Sequence, residues 1–441
     1  MPPAKGHFLA KILQDRIPLD GRKMTEQRMF GLMKKIAHLN WALVDQALVS
    51  GTNFLVGVLL VRYLGFEQYG QFVLVWMGVQ FTVSVQNALI VSPMLSIAPT
   101  MPVAERGAYY AATLALQAGL AFSIACLATV GAYLSESYRP EWLDAGVIIP
   151  LIGCLVFVQL QDYCRRNLFS RLSSRRAFYL DLMAYGAQLP LIFLVIRNDP
   201  SLQNALLVTL AAMVVSVILG YPWMEFKSVS RGDTRRVLLR HWVSSKWLLG
   251  AAILQWVSGN YFLIVAGAIL GPTMVGAIRA AQNLLGLTHI LFQGLENIVP
   301  GESSRRYQRS GSDELSRYLC KTALAMLLVT GTVATLAALF SESLLLVAYG
   351  EVNPDTVIAM IWYVPFYVLA AVVLPLRAGL RSIEKTKPIF IAQFSCAMFS
   401  LLTAHYLVRQ YGIHGVMGGI LFGSVITSAV LVTSLGKALR E

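Results

Sequence analysis

Long apolar runs separated by short polar connections dominate the chain. Runs able to cross the ~30 Å hydrocarbon core of a bilayer as helices occur at 42–63, 70–98, 109–134, 145–163, 177–196, 203–224, 248–270, 276–300, 319–340, 356–379, 388–408 and 412–435. The pattern predicts an all-α polytopic membrane protein of about twelve transmembrane helices. One run departs from the rest: residues 276–300 are long enough to span, yet carry Arg279, Gln282, Asn283, His289, Gln293, Glu296 and Asn297. At about 100° per residue, Arg279, Asn283, Gly286, Gln293 and Asn297 fall within roughly 80° of one another, with Gln282, His289 and Glu296 along one border. Lipid cannot hydrate such a stripe, so it is expected to face protein or a water-filled cavity. Polar glue between helices is the alternative reading.

Charge fixes the expected topology. Basic residues gather in alternate connections: Arg165, Arg166, Arg171, Arg175 and Arg176, then Lys227, Arg231, Arg235, Arg236, Arg240 and Lys246, then Arg305, Arg306, Arg309, Arg317 and Lys321. Intervening loops carry Glu136, Glu141 and Asp144, or Glu342, Glu351 and Asp355, and the 100–108 loop holds only Arg106. The positive-inside rule then places the basic set, and with an even helix count both termini, in the cytoplasm. Residues 1–40 read as a basic cytoplasmic arm, 225–247 as a basic cytoplasmic linker and 437–441 as a cytoplasmic C-terminus. The first forty residues show no apolar run with a cleavage site, so the first span is expected to target the chain.

Composition agrees: the 441 residues are 56% hydrophobic and 13% charged, with mean hydropathy +0.61. A net charge of +13 invites a nucleic-acid reading, but the charge sits in loops between apolar spans rather than on the face of a soluble domain. The cysteines Cys126, Cys154, Cys164, Cys320 and Cys396 lie in or beside apolar runs without paired spacing and are expected to be buried thiols.

The chain repeats itself. Asn53-Phe54, Leu64-Gly65-x4-Gly70, Gln86 and Pro93 are echoed by Asn260-Tyr261, Leu270-Gly271-x4-Gly276, Gln293 and Pro300. Further on, Arg165, Leu168, Ser170, Ser174, Arg175 and Phe178 match Arg377, Leu380, Ser382, Thr386, Lys387 and Phe390 at constant offset. Two homologous six-helix lobes follow, 41–224 and 248–436, related by an axis along the membrane normal and enclosing a central cavity. Gln86 and Asn87 of the second helix, Asn53 of the first and Asn260 of the seventh join the stripe as candidate substrate contacts. Glu296 and Asp45 are candidates for ion coupling. Asp45 has a structural alternative in pairing with Lys34, Lys35 or a basic loop, and interfacial ion pairs are the expectation for Asp162 and Asp181 beside the Arg165–Arg176 cluster.

No GxxxxGK[ST] loop, HExxH or clustered Cys/His set is present, so neither nucleotide hydrolysis, a metal, another cofactor nor catalysis is expected. Twelve helices in two halves, the Arg-rich connection after the fourth, and the turn Val61-Arg62-Tyr63-Leu64-Gly65-Phe66-Glu67-Gln68-Tyr69-Gly70-Gln71-Phe72 resemble the bacterial polysaccharide flippases. These belong to the multidrug, oligosaccharidyl-lipid and polysaccharide exporter superfamily, and their turn reads approximately (A/V)R-x-LG-x-x-x-YG-x-(F/Y). The resemblance covers about residues 40–435. It implies a V-shaped pair of lobes, a cationic cavity lined by helices 1, 2, 7 and 8, and translocation of undecaprenyl-diphosphate-linked oligosaccharide between leaflets. Arg279 fits such a cavity, whereas Glu296 and Asp45 depart from a purely cationic lining. The implied partners are that lipid-linked oligosaccharide, membrane lipids, and a polysaccharide polymerase with chain-length and export proteins; nucleic acid is not among them. A drug or cation antiporter of the same superfamily, a non-transporting scaffold of a glycan assembly complex, and a membrane glycosyltransferase are the alternatives. Loss of function on deleting residues 1–38 would favour the scaffold, and sugar transfer by the purified chain the glycosyltransferase.

Overall fold

A computed structural model describes the backbone of residues 26–224 and 231–440, with side chains except at 26–40, 231, 244 and 287–298. Among the described residues all regular structure is helical. The chain bends where a glycine allows it. Helix α1 (Glu26–Gln86) holds two predicted spans, divided at Gly65, whose φ of 73° and ψ of 172° fall in a region essentially closed to residues with a Cβ. The second span continues through a π-turn (Asn87–Val91) into α2 (Ser92–Ile97), with Pro93 in its first turn, where a missing N–H costs least.

The remaining helices of the first lobe are α3 (Val103–Leu134), α4 (Ala145–Ser170), the π-interrupted series α5 (Ser174–Asp181) and α6 (Gln188–Leu191), and α7 (Leu202–Gly220). Asp144 and Ser201 cap α4 and α7 by accepting from the N–H of Val147 and Asn204. The second lobe contains α8 (Arg231–Ile269), α9 (Pro272–Leu284), α10 (Leu287–Leu339), α11 (Ser341–Tyr349), α12 (Pro354–Ser382) and α13 (Lys387–Arg440). Among the described residues nine helical stretches are long and apolar enough to cross a membrane. Trp41–Thr100 and Lys387–Arg440 each contain two predicted passes, divided at Gly65 and Gly412; α9 with the start of α10 occupies the remaining predicted span.

Backbone geometry repeats with the sequence. Gly271 adopts φ 89° and ψ 167°, close to its counterpart Gly65. Leu172 and Glu384, separated by the same 212 positions as Arg165 and Arg377, share a left-handed φ of 58° and 59°. Both turns close with the same bond, Ser173 N–H to Leu168 O and Lys385 N–H to Leu380 O, each 2.9 Å. The halves meet where the repeated glycines do: a Cβ at Gly70 would strike the carbonyl oxygen of Pro272, and one at Gly276 that of Phe66. Only bare backbone permits this approach.

Two expectations need correction. The span 276–300 is not one unbroken helix: Leu284 ends α9, Gly286 N–H bonds to Asn283 O at 3.0 Å, and α10 starts at Leu287, so the 100° register is offset at this turn, although Leu285 and Gly286 keep right-handed helical φ. Cys154 and Cys164 are buried as expected, but Cys126 and Cys320 are exposed, on α3 and α10 surfaces turned away from the protein.

Candidate functional site

Two cavities converge on Arg279. The first, about 650 Å³, is walled by α1, α4 and α7, with Asn260 of α8 and Arg279 and Asn283 of α9 contributed by the other lobe. Its polar lining includes Asn53, Gln80, Gln188 and the pair Asp162–Arg166, an i,i+4 contact at 3.3 Å on α4. Tyr69, Phe72 and Trp76 form its aromatic wall, with Phe72 and Trp76 stacked 5.5 Å apart.

The second cavity, about 380 Å³, lies in the second lobe between α8, α9, α12 and α13. Arg279, Arg377 and Arg381 line it beside Tyr363, Phe366 and Tyr367, and none of the described residues lining it is acidic. Arg279 belongs to both cavities because α9 carries it between the lobes. Its guanidinium is held by two neutral groups: Nη1 donates to Gln282 Oε1 at 2.6 Å and Nη2 to Asn260 Oδ1 at 2.9 Å. Both acceptors are amides, so the fork is aimed without being neutralised by them.

Asn283 forms a polar contact between the lobes, donating from Nδ2 to Phe54 O at 3.2 Å. Gly57 makes room for it, since a Cβ there would lie 2.7 Å from that nitrogen. Asp45 is fully buried, in neither cavity. It pairs with the basic cluster: Arg165 Nη2 lies 2.7 Å from Asp45 Oδ2, and Arg165 Nε 2.5 Å from Asp181 Oδ2, while Lys34 and Lys35 lie outside the described side chains. Gln161 Nε2 donates to Asp181 Oδ1 at 2.7 Å. Two carboxylates thus share one guanidinium.

The structure brings Arg279, Gln282, Asn283, Asn53 and Asn260 to the cavities. Gln86 is buried in the first lobe instead, donating to Gln159 O at 3.1 Å, and Asn87 starts the π-turn; neither lines the two cavities. His289, Gln293, Glu296 and Asn297 lie outside the described side chains. Sequence reasoning missed the aromatic walls and Arg377 with Arg381. The signals were there: Tyr69, Phe72 and Trp76 recur at i, i+3 and i+7, and Arg377 is the repeat counterpart of Arg165.

Outside the spans, the end of α8 docks on the first lobe. His241 Nε2 sits 2.8 Å from Tyr109 Oη and Nδ1 3.3 Å from Leu89 O, and Ser245 Oγ donates to the same carbonyl at 3.2 Å. Burial holds the His241 imidazole below its ordinary titration range; the Leu89 carbonyl opposes this and nearby Arg240 adds to it.

A family model described as MatE matches residues 248–405. Among curated proteins no match is found. Solved structures resemble about nine tenths of the chain. The inward-facing conformation of a multidrug resistance MATE family transporter of the MOP superfamily is 15% identical, covering 88% of this chain and 94% of its own, with TM-score 0.71. An outward-facing conformation of such a transporter is 16% identical over 91% and 94%, with TM-score 0.56. The lipid II flippase MurJ in an inward closed conformation is 13% identical over 89% and 87%, with TM-score 0.65. The chain has the two-lobed fold of MATE transporters of the MOP superfamily.

Proposed function

We propose that the chain is a flippase. Its substrate would be an undecaprenyl-diphosphate-linked oligosaccharide, a repeat unit of O-antigen, exopolysaccharide or capsule, moved from the cytoplasmic to the periplasmic leaflet of the bacterial inner membrane by alternating access. The observation that carries this reading is the second cavity, which Arg279, Arg377 and Arg381 line together with three aromatic rings. Guanidinium forks pair bidentately with phosphate oxygens. Aromatic faces pack on the C–H faces of sugar rings, and the amides of Asn53, Asn260 and Asn283 can exchange bonds with hydroxyls. Each sugar hydroxyl would lose several kcal/mol in lipid without partners. A polar path beside an open seam removes that cost while the prenyl tail stays in the bilayer.

The closed crossing at Gly70 and Gly276, with the greater likeness to the inward-facing than to the outward-facing relative, supports a state open toward the arginine-rich, cytoplasmic side. The Asp45–Arg165–Asp181 cluster supports proton coupling: both carboxylates are buried against one cation, and a single proton makes the group neutral. Multidrug antiport is the second reading, favoured by Asp162 in the first cavity. Against it, a cationic drug would meet three guanidiniums in the second.

Proteoliposomes carrying a lipid-linked oligosaccharide test the proposal. Arg377→Ala and Arg381→Ala are each expected to slow flipping about tenfold or more, the effect of losing one charge-assisted bond of 1.5–3 kcal/mol. Arg409→Ala, an exposed arginine outside both cavities, should flip as wild type. Unimpaired flipping by both cavity variants, with insertion verified, would overturn the assignment; export of small cations without glycolipid movement would move it to antiport.

A further inference from the structure

A third cavity, of about 430 Å³, lies at the arginine-rich end of the first lobe, apart from the two described above. It is framed by the start of α3, the turn between α4 and α5, and Trp223. Arg106, Arg171 and Arg176 line it with Ser170 and Ser173, and none of the described residues lining it is acidic. Neutral groups orient two of these arginines. Arg106 donates from Nε to Met101 O and from Nη2 to Pro99 O, both at 3.0 Å. The Arg171 guanidinium lies 4.2 Å from the ring centre of Tyr110, whose hydroxyl is 2.7 Å from Ser170 Oγ. The two carbonyls hold Arg106 at the cavity and bring no opposing charge.

The cluster is not a by-product of the duplicated turn. Arg165 and Arg175 have basic counterparts in Arg377 and Lys387, but 212 positions beyond Arg171 and Arg176 stand Ile383 and Pro388. The rim is apolar and outward-facing: Val103 is 79% and Leu172 62% exposed. Arginines beneath an exposed apolar rim suit an amphiphile whose anionic group enters while its chains lie along the rim.

We propose that this cavity binds the phosphate of a membrane phospholipid, an anionic one in the leaflet that the arginines face. The site is separate from the transport path, and the proposal rests on the chain spanning a membrane rather than on the identity of its cargo.

Native mass spectrometry of the full chain, exchanged in mild detergent against phosphatidylglycerol, phosphatidylcholine or glycerol 3-phosphate, reads occupancy directly. Wild type is expected to retain one phosphatidylglycerol in preference to phosphatidylcholine. Arg106→Gln with Arg171→Gln should retain it about thirtyfold more weakly, two arginine contacts at ~1 kcal/mol each. Arg409→Gln should match wild type. Where the double variant is not monodisperse, the exposed Arg176→Gln serves instead, with about fivefold weakening expected. Equal retention by wild type and variants would overturn the site. Filling by glycerol 3-phosphate without retention of either lipid would overturn the lipid assignment in favour of a soluble phosphate. Because retention is measured without transport, failure here is distinct from failure of the flippase reading.

Discussion

A methyl group added at Gly276 probes the crossing of the lobes. In the structure that methyl would run into the carbonyl oxygen of Phe66, and its mirror at Gly70 into that of Pro272. Both obstacles are backbone, so no side chain can rotate away. Overpacking of this kind costs about 1–3 kcal/mol, and the cost falls only on the state in which the lobes touch at this end. The equilibrium between closed and open arrangements should therefore shift about 5- to 150-fold toward opening. Gly51 and Gly78 are matched controls, since a Cβ at either meets nothing within 4 Å. Spin labels at the exposed positions Glu67 and Thr273, one on each lobe, in a background without native cysteines, would report the separation by electron–electron resonance. Gly276→Ala should populate longer distances and alter the flipping rate, and Gly51→Ala should do neither. An unchanged distance distribution and rate for Gly276→Ala would refute the view that this contact is specific to one state.

Other substitutions reach different parts of the argument. Arg165→Ala leaves Asp45 and Asp181 buried without their shared cation and should cost about 3–5 kcal/mol, read as a lowered thermal midpoint; adding Asp45→Asn should recover part of it, and no recovery would contradict the shared-cation account. Leu172→Gly removes about 1–2 kcal/mol of left-handed strain at a largely exposed site and should raise the midpoint, as should Glu384→Gly; a drop in both would contradict the strain reading. His241 binds a proton less readily when docked than when released, so the docked end of α8 is stable above about pH 6.5 and loosens as pH falls below it. Hydrogen exchange over 231–247, corrected for intrinsic rates, should rise between pH 7.5 and 5.5, and His241→Phe should flatten that dependence.

Much of the architecture was legible because membrane helices announce themselves by length and because glycine marks the bends. The repeated Leu-Gly-x4-Gly signalled two equivalent turns, and the structure adds that these glycines touch each other across the lobes. The candidate site was legible only in part. Arg279, Asn53 and Asn260 stood out as polar groups in apolar runs, but which polar groups share a cavity depends on helix rotation. The break at Leu285–Gly286 disrupts that rotation in the stripe that looked most continuous. Arg377, visible only as a repeat counterpart, and Arg381 did not stand out as cavity residues because they lie near a helix end, where basic residues are ordinary interface anchors. Asp45 was visible as a buried charge, but its partner is 120 residues away, a pairing that no local pattern encodes.

Helix α8 has a mechanical consequence. Its 39 residues form one rod of about 58 Å, clamped to the first lobe by His241 and Ser245 and packed in the second through Phe262 against Phe399. Two bodies joined by such a rod cannot swing as on a slack tether: the rod must flex, or its clamp must slip. Rocking therefore works against a leaf spring whose stiffness is set by the stretch around Gly250, and a pair of glycines substituted there would soften it without changing a residue of either cavity.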